Sequence, residues 1–152
     1  MKRVIGISTA TLFASFVLFL VMGHAGVAYF HGWQESLRAS LGVMFLLTAS
    51  AHQGRRRTDL IAMVPPVFSR SALLVTLTGL FEVAGAIALQ FSKLAPFAAA
   101  SLFIMLIAIF PANVYAAKHG LTISGRPVPS LLPRAIIQVI FLIALCFAAQ
   151  SN

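Results

Sequence analysis

Residues 77–89 read LTGLFEVAGAIAL, and Glu82 within them is the one charged group between Arg70 and Lys93. Ionisable groups inside long apolar segments are rare and face protein or water rather than lipid. A carboxyl held there in its protonated form can donate to a carbonyl or relay a proton. Four other polar side chains sit in or beside such segments. Asn113 lies in IFPANVYAA, Gln138 in PRAIIQ, His52 closes LLTASAH, and Arg134 opens the last apolar run. The two amides favour interhelical hydrogen bonds, each worth about 1 kcal/mol in model systems. His52 reads either as a ligand-binding or proton-relay residue or as an interfacial one. Arg134 reads either as a topogenic charge at the boundary or as a partner of Gln138 one turn on.

The setting sharpens these assignments. Gly79 and Ala86, at i−3 and i+4 from Glu82, leave a face of small residues on which another backbone or a flat ligand can lie. Thr78, one turn before Glu82, can help to bond it. Pro111 inside its run deprives the Ile107 carbonyl of a helical partner and bends the axis beside Asn113. On these grounds Glu82, Asn113, His52, Gln138 and Arg134 are the candidate ligand-binding or proton-relay residues.

The elements that position them follow from charge. Of 152 residues 60% are hydrophobic and 9% charged, against about 25% charged in soluble domains. The expected class is all-α, an integral membrane helical bundle forming one domain that faces the lipid bilayer. A net charge of +8 from 11 basic and 3 acidic residues reads as loop charge against anionic lipid, with no role in nucleic-acid binding. Charges fence off five spans, at about 4–30, 37–53, 71–92, 94–117 and 134–150. The first follows Met1-Lys2-Arg3 and reads as an uncleaved anchor. In the second, whose apolar run is shorter than the hydrocarbon core, Arg38 is expected to snorkel outward, and a re-entrant segment is the rival reading. Residues 54–70 form an interfacial loop halted by Pro65-Pro66, with Leu60 and Met63 against lipid or across the bundle mouth. Nine of the eleven Lys and Arg fall on one side and only Arg38 and Lys93 on the other. That bias predicts a cytoplasmic N-terminus and a periplasmic C-terminus in a bacterial inner membrane. At 1.5 Å per residue, Glu82 lies roughly 15 Å from the inner side, and Asn113 and Gln138 roughly 6 Å.

No metal site is expected. His52 and His119 share a side but stand at the water boundary without a clear third ligand. Cys146, alone, excludes an internal disulfide and multi-cysteine clusters and reads as a small packing residue.

From Leu47 to Ala117 the chain resembles the DoxX family of small bacterial membrane proteins. The resemblance rests on ASAH ending at His52, MVPP at 63–66, GLFEVAG at 79–85 and FPANVYAA at 110–117, with PRAIIQ at 133–138 fitting the family's ending loosely. Where the family often has phenylalanine after the histidine, Gln53 stands. The family has four spans, so the helix before Trp33 is an addition to a four-helix core. The resemblance implies a redox-associated subunit that binds a quinone or other small lipophilic molecule in an intramembrane polar pocket, with no covalent cofactor. It also implies a redox partner protein or a homo-oligomer as partner. Whether the protein is an enzyme stays open. Two other readings compete: a non-enzymatic membrane scaffold or chaperone for a partner complex, and a small proton-coupled transporter.

Overall fold

Apolar runs bounded by charges or by Gly and Pro become helices in the computed structural model, which describes residues 6–150. Six α-helices form: α1 (Ile7–His24), α2 (Trp33–Ser50), α3 (Arg56–Met63), α4 (Ser71–Ala88), α5 (Ala95–Lys118) and α6 (Leu131–Ala148). A 3-10 turn at Ala28–Phe30 follows α1, and a two-stranded hairpin, β1 (Thr122–Ile123) with β2 (Arg126–Pro127), precedes α6. Lys2, Arg3 and the start of the first expected span lie outside the described residues.

Helices α1, α4, α5 and α6 are each long and apolar enough to cross a membrane. A helix of 18 residues extends for about 27 Å, close to the hydrocarbon thickness of a bilayer. Their outward faces carry exposed Phe13, Leu80, Phe97, Ile104 and Val139.

Helix α2 is different, because most of its residues are buried. It packs against α1, α4 and α6, and Leu41, Met44 and Phe45 are at most 1% exposed. The helix begins at Trp33, ahead of the expected 37, and so takes in Gln34 and Glu35. Arg38 does not snorkel outward. It is buried, and its Nε donates to the Ala148 carbonyl at 3.0 Å and its Nη2 to the Gln150 carbonyl at 2.7 Å. Those carbonyls end α6, where helix geometry supplies no donors and the dipole is negative, so a buried guanidinium is satisfied there. The polar residues that lower the hydropathy of α2 are thus turned into the bundle.

Other boundaries shift for local reasons. Helix α4 stops at Ala88 and passes through a turn to α5, short of the expected 92. Helix α6 starts at Leu131 rather than 134, since Pro133 then falls in the first turn, where no backbone N–H is needed. The expected loop 54–70 contains α3, which stops where Val64 turns extended before Pro65. Cys146 is exposed on α6 rather than packed inside.

Candidate functional site

The site begins where α2 ends. After Ser50 the chain turns, and the Arg57 guanidinium holds that turn against the start of α4. It donates to the His52 carbonyl at 3.2 Å, to the Ala72 carbonyl at 3.2 Å and to Thr76 Oγ1 at 2.8 Å. The imidazole of His52 is thereby laid over α4. Its Nδ1 lies 2.7 Å from the Val75 carbonyl oxygen. A carbonyl only accepts, so Nδ1 carries the hydrogen, and Nε2 is the atom left to face Glu82.

Nε2 stands 3.4 Å from Glu82 Oε2. That is an ion-pair separation, although Oε2 completes no well-directed hydrogen bond within the protein. Glu82 is 5% exposed. Gly79 makes the approach feasible: a Cβ there would come within 2.8 Å of the His52 Cβ and 2.9 Å of its Cγ. The small-residue face read from the sequence therefore admits the end of α2 and its imidazole. Thr78 does not bond the carboxyl; its hydroxyl donates back to the Leu74 and Val75 carbonyls, both at 3.0 Å.

The opposite wall is a chain of three side chains joining α5 and α6. Arg134 Nη2 donates to Asn113 Oδ1, Asn113 Nδ2 donates to Gln138 Oε1 at 3.3 Å, and Gln138 Nε2 donates to the Leu106 carbonyl at 2.9 Å. The chain closes beside Ile107, whose carbonyl loses its helical partner to Pro111. Arg134 meets Asn113 and not Gln138 directly.

Between these walls lies a cavity of about 710 Å³, and Glu82, His52, Asn113, Arg134 and Gln138 all line it. Its size falls within the range of small-molecule sites, roughly 300–1,000 Å³. Met44, Phe45, Met105 and Phe141 supply an apolar wall, and Leu60, Met63 and Val64 of α3 and its end lie at the same cavity.

Arg56 on α3 and Thr9 on α1 are among the contributors that were not read from the sequence. Thr9 is one hydroxyl in a serine- and threonine-dotted apolar run, and no periodicity marks it. Yet Thr9 Oγ1, Glu82 Oε2 and Arg134 Nε are buried without a hydrogen-bond partner in the protein, and all three residues line this cavity. Buried polar atoms are nearly always bonded, so three orphans from three helices around one space call for a reason.

Among the described residues no group of three His, Cys, Asp or Glu side chains is placed to hold a metal. His119 does not line the cavity; its ring lies against Tyr115, centroids 4.0 Å apart.

A family model described as "Domain of unknown function (DUF8561)" matches residues 41–149. No curated protein and no solved structure matches the chain. The matched segment holds the five polar residues read from the sequence and leaves out α1 with Thr9.

Proposed function

The chain belongs to the DUF8561 family, and from that premise and the cavity we propose a multi-pass, DoxX-like inner-membrane protein that binds a quinone or other small lipophilic molecule as a redox-associated subunit. In this reading α1, α2, α4, α5 and α6 cross the bilayer, with the N-terminus cytoplasmic and the C-terminus periplasmic. Helix α2 crosses as the most buried of the five, packed against α1, α4 and α6, with Val43, Leu46 and Leu47 left on its outward face.

The carrying observation is the set of unpartnered atoms around one largely apolar cavity: Thr9 Oγ1, Glu82 Oε2 and Arg134 Nε. They suit the oxygens of a quinone. Arg134 Nε donates, the Thr9 hydroxyl donates or accepts, and Glu82 donates whenever it holds the proton. Met44, Phe45, Met105 and Phe141 suit an apolar ring and tail. A bound quinone would supply the electron-accepting chemistry, with electrons from a redox partner protein.

The chain's own contribution is a proton. The Val75 carbonyl fixes Nδ1–H of His52, so the pair can hold one exchangeable proton between Nε2 and Oε2. When it resides on the carboxyl, Glu82 is a donor towards the cavity. When it resides on the imidazole, the carboxylate faces an imidazolium rather than bare lipid.

The test is a thermal shift with a decyl-tailed benzoquinone on purified protein. Ligand at a hundredfold its dissociation constant stabilises the folded state by about 2.7 kcal/mol. The expected result is a saturable rise in Tm that Glu82→Gln weakens; no rise in the wild type, or an equal rise in the variant, removes the quinone.

One observation favours a scaffold as the second reading. Asn113 and Gln138 spend their amides on each other, on Arg134 and on the Leu106 carbonyl. A scaffold predicts that Glu82→Gln lowers stability and partner recovery alone, with no ligand-dependent change.

A further inference from the structure

The three acids of this chain are Glu35, Asp59 and Glu82, and none of them pairs with Arg134. Glu35 lies in the first turn of α2 and does not line the cavity. Asp59 accepts from the Ser124 backbone N–H at 2.8 Å. Glu82 faces His52 in the only ion pair among the described residues. The segment before Gly6 adds two cations and no acid.

Arg134 is therefore a cation at the cavity with no carboxylate in contact with it, since Glu82, the one acid that lines the same cavity, faces His52. Its side chain is half-buried at the start of α6. It turns towards α5, gives Nη2 to the neutral amide oxygen of Asn113, and keeps a sealed Nε without an acceptor. A partly desolvated guanidinium is stabilised by an anion, and its planar donors match carboxylate and phosphate oxygens. Arg56, a second cation, lines the same cavity and adds to the positive potential there. The remaining wall is apolar, so the matching ligand carries its oxyanion on an apolar body.

We propose that this cavity also accepts an acidic amphiphile, a carboxylate or phosphate head on a hydrocarbon body, with the head bonded to Arg134 and the body against Met44, Phe45, Met105 and Phe141. The proposal uses the same cavity as the quinone reading but not the quinone, so each can fail alone.

Native mass spectrometry on the full chain released from a neutral detergent tests it, because bound molecules are counted directly. Four probes are compared at equal concentration: palmitate, methyl palmitate, inorganic phosphate and the decyl-tailed benzoquinone. The expected result is one palmitate per chain, at least tenfold less methyl palmitate, no retained phosphate, and a tenfold or greater loss of palmitate in Arg134→Gln. Methyl palmitate retained as well as palmitate, phosphate retained without a hydrocarbon body, or palmitate unaffected by Arg134→Gln each overturns the proposal. If Arg134→Gln fails to fold, the acid-to-ester ratio on the wild-type chain decides. Palmitate without the quinone sinks the quinone reading alone, and the quinone without palmitate sinks this one alone.

Discussion

His52 Nδ1 lies 2.7 Å from the Val75 carbonyl oxygen while its Nε2 lies 3.4 Å from Glu82 Oε2. One bond fixes the tautomer and the other direction meets the buried acid, so the two side chains act as a unit across the end of α2 and the middle of α4. Replacing either leaves the other without its partner. In a double-mutant cycle, His52→Gln and Glu82→Gln are expected to be non-additive, with a coupling of about 0.5–3 kcal/mol. Thermal unfolding in one fixed detergent measures it, and strictly additive losses would show that the pair is not a unit.

Gly79→Ala tests the approach of the imidazole. The added Cβ improves helix propensity by about 1 kcal/mol, yet it meets His52 Cβ at 2.8 Å. His52 sits in a turn and is the partner that gives way. The variant should keep its helical circular dichroism, lose the coupling between His52 and Glu82, and bind the decyl-tailed benzoquinone more weakly. Unchanged binding would mean that the position of His52 does not matter to the cavity.

Arg38 clamps the end of α6 by two hydrogen bonds to carbonyls. Hydrogen bonds to charged groups contribute about 1.5–3 kcal/mol each, so Arg38→Met is expected to cost on that order. The loss should be local, seen as faster amide exchange over residues 145–150. Arg38→Lys should not restore protection, since an ammonium does not reproduce the guanidinium fork.

Membrane orientation is open to labelling. In a Cys146→Ser background, a cysteine at Ser92 is expected to react with an impermeant maleimide added outside intact cells, and one at Ser124 only after the membrane is opened. The reverse pattern would invert the proposed topology.

The helices were legible because charges and prolines bound them, and Glu82 stood out because nothing charged lies within ten residues of it. The five polar residues read from the sequence line one cavity, because each lies in or beside an apolar run that becomes or adjoins a helix of the bundle. What stayed hidden depends on distant partners. Arg38 looks like a boundary charge until the carbonyls of Ala148 and Gln150 are known to wait for it. For the same reason the start of α2 was placed late: its polar first turns are buried by contacts no local pattern encodes. Thr9 was missed because a lone hydroxyl in an apolar helix looks the same whether it faces lipid or a cavity.

The central claim is that a lipophilic ligand sits between the His52–Glu82 pair and the Arg134–Asn113–Gln138 chain. Photolabelling with an azido derivative of the decyl-tailed benzoquinone, followed by peptide mapping, locates such a ligand directly. Label on the cavity wall at Met44, Met105 or Phe141, competed by unlabelled quinone, is the predicted result. Label confined to the outward residues Leu80, Phe97 and Ile104, and not competed, would contradict it.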